Sequence, residues 1–251
     1  MLTHETALEW IERWDRQQEG YLPDREARFT ALIDAVEALG RPDPLVVDLG
    51  CGPGSLSARL LERLPQATVV AVDADPLLLG LGRAAYPGVR FVSADLRTGG
   101  WADALGLDRP ADAAVSTTAL HWISPEELQE MYAELAGVLR PGGILLNGDH
   151  MDSSSPALAR LEHAVHERET ERVFAGGRPE DWRSWWDAIS ADPAFAALDE
   201  ERTTAGAGHH GSESHLVEHH VSALTKAGFD EIGTLWQRGN NRLLCAVRRS
   251  I

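Results

Sequence analysis

Short apolar runs alternate with amphipathic segments along the chain, and this alternation predicts a sheet covered by helices. Five runs have the length and the Val, Leu, Ile and Ala content of strands buried on both faces: 45–49, 68–72, 89–93, 112–116 and 143–147. The segments between these runs carry apolar residues at helical spacing. The pattern therefore predicts an α/β fold with a mostly parallel sheet.

Two more strands are predicted near the carboxyl terminus. The runs 232–237 and 243–247 are apolar, and Gly239-Asn240-Asn241 between them is typical of a turn. This hairpin would complete a seven-stranded sheet with one antiparallel strand.

Helical segments flank the predicted sheet on both sides of its five parallel runs. We interpret residues 1–251 as a single domain, with residues 1–40 as an N-terminal helical cap. Residues 152–212 are predicted to form a helical insertion after the fifth strand, above the carboxyl edge of the sheet, where it would act as a lid over the substrate.

The most informative segment is a buried strand that runs into a glycine-rich turn and a helix, Val46-Val47-Asp48-Leu49-Gly50-Cys51-Gly52-Pro53-Gly54-Ser55. Glycine lets the backbone approach a ligand closely, and the N–H groups at a helix start face an anionic group. A dinucleotide fingerprint has the spacing G-x-G-x-x-G, whereas the third glycine here comes one residue early. The carboxylate of Asp48 would repel a pyrophosphate, but it suits a ligand with an ammonium group.

This segment resembles the first motif of class I S-adenosylmethionine-dependent methyltransferases, whose cofactor carries an ammonium and a sulfonium group but no phosphate. The resemblance covers residues 42–149 well and 213–249 moderately. It implies a Rossmann-like sheet, with S-adenosylmethionine as cofactor and S-adenosylhomocysteine as product. The residues of the turn that we expect to bind the cofactor are Asp48, Gly50, Gly52 and Gly54.

Asp73 follows the second predicted strand, at the edge where open α/β sheets bind their ligands. It comes 25 residues after Asp48, which fits one βαβ unit of about 30 residues. A carboxylate there can accept hydrogen bonds from both ribose hydroxyls. The alternative role, the N-cap of the next helix, suits Asp75-Pro76 better.

Further cofactor contacts are implied by the resemblance. Asp95 is expected to accept a hydrogen bond from the adenine amino group, and Leu96 to donate its backbone N–H to the ring. An ordinary acidic loop residue is the alternative for Asp95. Ala74 and Thr117 are also expected to contact the cofactor.

The segment after the fourth strand contains Leu120-His121-Trp122, which is similar to a motif of small-molecule methyltransferases such as the trans-aconitate, malonyl-carrier-protein and juvenile-hormone-acid enzymes. His121 and His150 each follow the carboxyl end of a predicted strand, where a substrate would lie. If the acceptor is a hydroxyl, a base must take its proton, and histidine is suited to this near neutral pH.

The cap and the insertion add candidates whose roles stay open. In the family resembled, helices of this kind cover the cofactor pocket, which implies that Tyr21 reaches the sulfonium or the substrate and that Arg25 pairs with the cofactor carboxylate. A packing tyrosine and a solvated arginine are the alternatives. The tryptophans Trp182, Trp185 and Trp186 would form either a wall for the substrate or a small satellite core.

A histidine-rich segment, with His209, His210, His215, His219 and His220, raises the question of a metal. His215 and His219 are four residues apart, as two ligands on one helix face would be. A metal site needs three or four ligands with supporting hydrogen bonds, so we expect none here. An exposed helix start, or a single histidine that acts as a base, explains the pattern as well.

The composition of the chain limits the kinds of partner that it is expected to bind. The formal net charge is −16, from 39 acidic and 23 basic residues, which argues against nucleic acid and against an anionic membrane. No apolar run of about 18 residues and no signal peptide is present, so a cytoplasmic location is expected. Two cysteines, Cys51 and Cys245, are too few to hold an iron–sulfur cluster.

These patterns predict a methyltransferase that acts on a small molecule by in-line displacement. A protein that binds S-adenosylmethionine without catalysis, or that binds a partner, is the first alternative. An NAD(P)-dependent oxidoreductase is the second, which the glycine spacing and Asp48 disfavour. The acceptor, the atom methylated and the oligomeric state do not follow from the sequence.

Overall fold

The computed structural model describes residues 2–206 and 215–250. His209 and His210 lie outside the described residues, as does the side chain of His215, so the histidine-rich segment is described only from its last two histidines onward.

Apart from β5 and the short β6, which was not predicted, the strands occupy the predicted segments, with ends that differ by at most three residues. They are β1 (Leu45–Leu49), β2 (Thr68–Asp73), β3 (Arg90–Ser93), β4 (Ala111–Thr117), β5 (Leu139–Asp152), β6 (His215–Leu216), β7 (Phe229–Arg238) and β8 (Asn241–Arg248). The main sheet has the order β3-β2-β1-β4-β5-β8-β7, and the short β6 pairs with the end of β5. Strand β8 runs antiparallel to both of its neighbours, while β1 to β5 are parallel. The prediction of seven strands with one antiparallel member is confirmed.

The helices lie between the strands and in the cap and insertion. They are α1 (His4–Glu19), α2 (Arg25–Glu37), α3 (Ser55–Arg63), α4 (Pro76–Ala85), α5 (Trp101–Ala104), α6 (Pro125–Val138), α7 (Pro156–Val173), α8 (Trp182–Ser190), α9 (Ala196–Ala205) and α10 (Val217–Ala227). Helix α6 begins with the capping box that its sequence predicts, because Ser124 and Glu127 each bond to the backbone N–H of the other. Among the described residues, no helix is long and apolar enough to cross a membrane.

Strand β1 lies at the centre of the sheet and is buried along its whole length. Val47 and Leu49 belong to the core on one face, which also contains Leu135 of α6. Val46 belongs to the core on the opposite face, which contains Phe29 of α2. Alternate side chains of a strand point to opposite faces, so an unbroken apolar run suits a strand that is covered on both sides.

Strand β5 is longer than its sequence predicts. The apolar run suggests residues 143–147, whereas the strand runs from Leu139 to Asp152. Its later half pairs with β8 as far as His150, opposite Asn241. His150 therefore lies within the strand instead of following it, because the ladder to β8 satisfies the backbone groups of this polar segment.

The insertion tryptophans close a satellite core rather than a substrate wall, apart from Trp182. Trp185 is fully buried and contacts Trp10 and Trp14 of α1 edge-to-face, with ring centroids 5.8 and 4.9 Å apart. Trp186 belongs to the same cluster. This core joins the N-terminal cap to the insertion and to α4.

The satellite core should contribute measurably to stability. We expect Trp185→Ala to lower the free energy of unfolding by about 3–5 kcal/mol, because it leaves a large cavity among buried aromatic rings. Leu161→Ala is the control, since Leu161 is 64% exposed, and its effect should stay within about 0.5 kcal/mol. Chemical denaturation followed by circular dichroism measures both variants. Equal small effects would show that the cap and the insertion do not depend on this core.

Candidate functional site

A cavity of about 1030 Å³ opens at the carboxyl ends of the parallel strands. The strand order reverses between β1 and β4, and ligands of open α/β sheets bind outside this point. The cavity walls include most of the predicted site residues, namely Tyr21, Arg25, Gly50, Gly52, Asp73, Ala74, Asp95, Leu96, Thr117, His121 and His150.

The turn after β1 is held in place by the end of β2. The backbone N–H groups of Gly50 and Cys51 donate to the carbonyl of Val72, at 2.9 and 3.0 Å. Gly50 has a φ of +65°, and a Cβ on it would lie 2.4 Å from the Cβ of Ala119. Glycine is therefore required here, since the turn touches the segment that follows β4.

Asp73 connects this turn to the cavity wall. Its Oδ2 accepts the backbone N–H of Gly52 at 2.8 Å, and its Oδ1 accepts that of Asp75 at 2.9 Å. Burial raises the pKa of Asp73 to about 6, although these backbone hydrogen bonds lower it. A carboxylate has lone pairs for further donors, so Asp73 can still accept hydrogen bonds from a ligand.

Two residues predicted to bind the cofactor are not among the cavity-lining residues. Asp48 is fully buried beneath the turn, where its Oδ2 accepts the Ser57 hydroxyl at 2.6 Å. Burial raises the pKa of Asp48 to about 7. Gly54 has a φ of +86° and packs against the ring of Phe91, which a Cβ would approach to 2.7 Å. Both residues therefore support the shape of the turn and do not line the cavity. Asp48 points toward α3 because alternate side chains of β1 point to opposite faces of the sheet.

The other expected cofactor contacts lie on the cavity wall. The Asp95 carboxylate is paired with Arg97, at 2.7 Å between Oδ2 and Nη2, and this hydrogen bond is the largest factor that lowers the pKa of Asp95. Leu96 and Ala74 line the same wall. The hydroxyl of Thr117 accepts a hydrogen bond from the buried guanidinium of Arg28.

His121 forms the most specific side-chain pair in the cavity. Its Nδ1 lies 2.9 and 3.0 Å from the two carboxylate oxygens of Asp149. Burial is the largest single effect on His121 and lowers its pKa, but the charge of Asp149 and the hydrogen bond to it together raise the pKa by more, so that the net shift is upward. Burial raises the pKa of Asp149, while His121 and Arg28 lower it well below its usual range. Asp149 is therefore ionised and fixes the His121 ring with its Nε2 left for a ligand.

His150 has a different environment. Burial lowers the pKa of His150 to about 4, and its Nε2 is buried without a hydrogen-bond partner among the described residues. Its ring contacts that of His166 on α7, with centroids 4.9 Å apart. A histidine with so low a pKa is neutral and only weakly basic, so His121 is the better base of the two predicted candidates.

A buried cation lies behind these histidines. Arg28 is fully buried, and its Nη1 donates to the side-chain oxygen of Asn241 at 2.8 Å. Gly148 makes room for it, because a Cβ there would lie 2.9 Å from the arginine Cδ. Burial lowers the pKa of Arg28 to about 10, so it stays charged at neutral pH and balances Asp149.

The N-terminal segment contributes the two residues, Tyr21 and Arg25, that were predicted to cover the cofactor pocket. The Tyr21 hydroxyl oxygen accepts the backbone N–H of Trp182 at 3.1 Å, which ties the cap to the insertion. Arg25 is buried and donates through Nη2 to Asp15 at 2.9 Å. Its Nη1 has no hydrogen-bond partner among the residues described, so it can donate to a bound anion.

Comparison with known proteins agrees with this geometry. Residues 46–143 match the model of a family described as "Methyltransferase domain". The trans-aconitate 2-methyltransferase of Azoarcus sp. (strain BH72) is 41% identical over 133 residues, which are 53% of this chain and 49% of that protein. The enzyme of the same name from Rhodopseudomonas palustris (strain BisB18) is 33% identical over 150 residues, 59% of this chain and 55% of that one. The chain spans about half the length of these curated relatives.

Solved structures share the whole architecture. Magnesium protoporphyrin IX methyltransferase from Synechocystis PCC 6803, with bound SAH, superposes with a TM-score of 0.57 and 19% identity, over 95% of this chain and 94% of that chain. Human N-acetylserotonin methyltransferase in complex with SAM also has a TM-score of 0.57, at 15% identity, over 98% of this chain and 58% of that chain. Likeness at this level of identity concerns the fold. Residues 46–143 therefore match a methyltransferase domain, and the fold of the whole chain is that of the solved methyltransferases.

S-adenosylmethionine is the cofactor of such a methyltransferase domain, and the cavity of this chain has the features to hold it. The glycine turn exposes backbone to the cavity beside a strand-end carboxylate, Asp73. The Nη1 of Arg25 lies 3.8 Å from Oε1 of Glu26 but makes no hydrogen bond to the described residues, so it is available as a donor for the amino-acid carboxylate of the cofactor. Leu96 and Leu78 form an apolar part of the cavity wall that suits the adenine ring of the cofactor.

Several further residues line the cavity without having been predicted: Trp14, Gln18, Thr118, Trp122, His166, Glu167, Thr170, Glu171 and Arg178. Thr118 has a φ of +49°, which is rare for a residue with a branched Cβ. Asp149, the partner of His121, was also missed. The apolar run predicts that β5 ends at residue 147, and only the pairing with β8 extends the strand past Asp149.

No cluster of three or more histidine, cysteine or acidic side chains suited to a metal occurs within residues 2–206 and 215–250. His220 is buried, and its Nδ1 lies 2.8 Å from the hydroxyl of Tyr132. His220 therefore stabilises the packing of α6 against α10.

Replacement of Asp73 tests the cofactor site of the methyltransferase domain. We expect Asp73→Ala to weaken S-adenosylhomocysteine binding about 10- to 100-fold, because hydrogen bonds to a charged group contribute about 1.5–3 kcal/mol. Asp187→Ala removes an exposed carboxylate that is not part of the cavity and should leave the affinity unchanged. Isothermal titration calorimetry measures both. An unchanged affinity of Asp73→Ala would contradict the ribose assignment.

Proposed function

We propose that this chain transfers a methyl group from S-adenosylmethionine to a hydroxyl oxygen of a small molecule, with His121 as the general base. The observation that carries the proposal is the His121–Asp149 pair on the wall of the cavity that contains the glycine turn. The cavity volume of about 1030 Å³ lies at the upper end of the range for small-molecule sites and suits a cofactor with an acceptor beside it.

S-adenosylmethionine supplies an electrophilic methyl group on a sulfonium when it is bound. The residues of this chain would orient the acceptor so that its oxygen attacks the methyl carbon in line with the carbon–sulfur bond. The acceptor oxygen forms the new bond to carbon, and the electron pair of the broken bond stays on sulfur, which yields S-adenosylhomocysteine. The hydroxyl proton passes to Nε2 of His121.

Asp149 is proposed to position the base. It accepts the Nδ1–H of His121, which leaves the Nε2 lone pair free toward the cavity. It also stabilises the imidazolium that forms after proton transfer. This arrangement favours a hydroxyl acceptor over a carboxylate acceptor, because a carboxylate is already ionised and needs no base.

The remaining predicted residues have proposed roles in the same reaction. Asp73 would bind the ribose, Asp95 and Leu96 the adenine, and Arg25 the carboxylate of the cofactor. Tyr21 lines the cavity beside Trp182 and would contact the acceptor. We further propose that residues 1–40 and 152–212 act as cap and lid, and that the protein works in the cytoplasm on a small molecule rather than on nucleic acid or at a membrane.

Transfer of radiolabelled methyl from S-adenosylmethionine tests the proposal directly. The acceptor panel consists of tyrosol, tyramine, phloretate and trans-aconitate, which differ in charge and in the group methylated. We expect label in at least one hydroxyl acceptor, and a decrease of about 100- to 10,000-fold in His121→Ala. His4→Ala changes an exposed histidine outside the cavity and should keep full activity. Binding of S-adenosylhomocysteine without transfer to any acceptor would favour a non-catalytic binding protein.

The His121–Asp149 pair also predicts a pH dependence. Only neutral His121 can accept a proton, so the rate should rise with pH through a pKa above the ordinary histidine value. Asp149→Asn removes the charge that raises this pKa, so the His121 ring should titrate at lower pH and the maximal rate should fall. Proton NMR of the ring follows the titration without any acceptor. Titration at the same pH in wild type and Asp149→Asn would contradict the pair.

A further inference from the structure

The part of the cavity wall formed by α7 carries acidic groups that the proposed reaction does not use. His166, Glu167, Thr170 and Glu171 of this helix line the cavity. The match to the methyltransferase family ends at residue 143, before α7 begins at Pro156. The chemistry of this wall is therefore read from the residues of this chain alone.

Glu167 and Glu171 lie four residues apart and so share one face of α7. Neither carboxylate takes part in a hydrogen bond or ion pair with the residues that the structure describes, whereas Glu162 and Glu169 of the same helix pair with Arg242 and Arg238. Two carboxylates on a cavity wall that are not paired with a protein cation attract a positive charge from the ligand.

Most of the arginine side chains near the cavity already interact with a carboxylate of the protein. Arg25 is paired with Asp15 at 2.9 Å, and Arg97 with Asp95 at 2.7 Å. Arg28 is buried, does not line the cavity, and balances Asp149. Arg178 lies exposed on the rim, and no lysine is among the cavity-lining residues of the described chain.

The histidines on this side add no strong positive charge. Burial lowers the pKa of His150 to about 4 and also lowers the pKa of His166, so both are mainly neutral at neutral pH. A ligand with several carboxylates would thus meet Glu167 and Glu171, and among the described residues Arg178 is the one cavity-lining arginine without an ion pair to offset them. Such like-charge contacts reject a ligand.

We propose that the acceptor carries a positively charged amine toward Glu167 and Glu171 in addition to the hydroxyl that faces His121, and that a polycarboxylate such as trans-aconitate is a poor acceptor. This inference rests on the proposed function, since it concerns the acceptor of the same reaction. It separates this chain from the curated relatives, whose names specify trans-aconitate.

Three phenols of matched shape measure the charge preference. Tyramine, tyrosol and phloretate share a phenol with a two-carbon arm that ends in an ammonium, a hydroxyl or a carboxylate. Their binding to the protein saturated with S-adenosylhomocysteine is measured by calorimetry or by ligand-observed NMR. We expect tyramine to bind about three- to tenfold more tightly than tyrosol, a modest preference because both glutamates are exposed and water screens their charge, and phloretate to bind most weakly.

A pair of double variants assigns this preference to α7. Glu167→Gln with Glu171→Gln should bring the tyramine-to-tyrosol ratio close to one and leave tyrosol binding unchanged. Glu200→Gln with Glu201→Gln removes the same two charges from exposed positions on α9 outside the cavity. This control should keep the wild-type ratio, which separates a local contact from the effect of net charge.

Equal or stronger binding of phloretate, no discrimination among the three phenols, or an unchanged ratio in the α7 variant would each overturn the inference. Saturable methylation of trans-aconitate by the wild-type protein would overturn it as well, while supporting the methyltransferase activity. Binding of S-adenosylhomocysteine is measured in parallel for every variant. If the wild-type protein did not bind S-adenosylhomocysteine, the proposed function itself would be wrong. This measurement therefore distinguishes failure of the proposed function from failure of the inference about the acceptor.

Discussion

The turn after β1 is fixed by the neighbouring strand, and the rest of the site depends on this connection. Gly50 and Cys51 donate to the carbonyl of Val72, and Gly52 donates to the Asp73 carboxylate. These bonds hold the turn open toward the cavity and keep the carboxylate at its edge. Only glycine allows the approach of Gly50 to Ala119. One local network thus creates the edge at which the cofactor of the methyltransferase domain is expected to bind.

The acceptor end depends instead on buried charge. Arg28, Asp149 and His121 form a set in which the charge of the buried arginine balances that of the buried carboxylate, and Asp149 in turn raises the pKa of His121. Removing the charge of one member would leave another uncompensated in a poorly hydrated environment, which is costly. This balance explains why an arginine without a directly bonded carboxylate is tolerated behind the sheet. It also links the cap, which contributes Arg28, to the chemistry at the ends of β4 and β5.

Much of this organisation could be predicted from the sequence, because local patterns specify it. The apolar runs of β1 and β2 and the capping box of α6 each reflect a single local rule. The terminal hairpin follows from its turn residues. Asp73 and His121 were expected at the carboxyl edge because strand ends meet there, and Tyr21 was expected from the resemblance of the N-terminal cap. All three line the cavity.

Other features depend on contacts between distant segments, which no local pattern reveals. Strand β5 extends to Asp152 because β8 pairs with it, and this extension brings Asp149 to His121. Asp48 was assigned to the cofactor from its position in the motif, but the alternation of β1 directs it beneath the turn to Ser57. The acidic residues of α7 can be assigned to the cavity wall only once the position of this helix across the cavity is known. The same reason explains why the tryptophans of α8 could not be divided between core and wall.

A crystal structure of the chain with S-adenosylhomocysteine tests the central claim most directly. The account predicts that the ribose hydroxyls bind the Asp73 carboxylate, that the amino-acid carboxylate lies at Arg25, and that the sulfur faces His121 across unfilled volume bounded by α7. A nucleoside bound elsewhere on the chain, or with its sulfur directed away from His121, would contradict it.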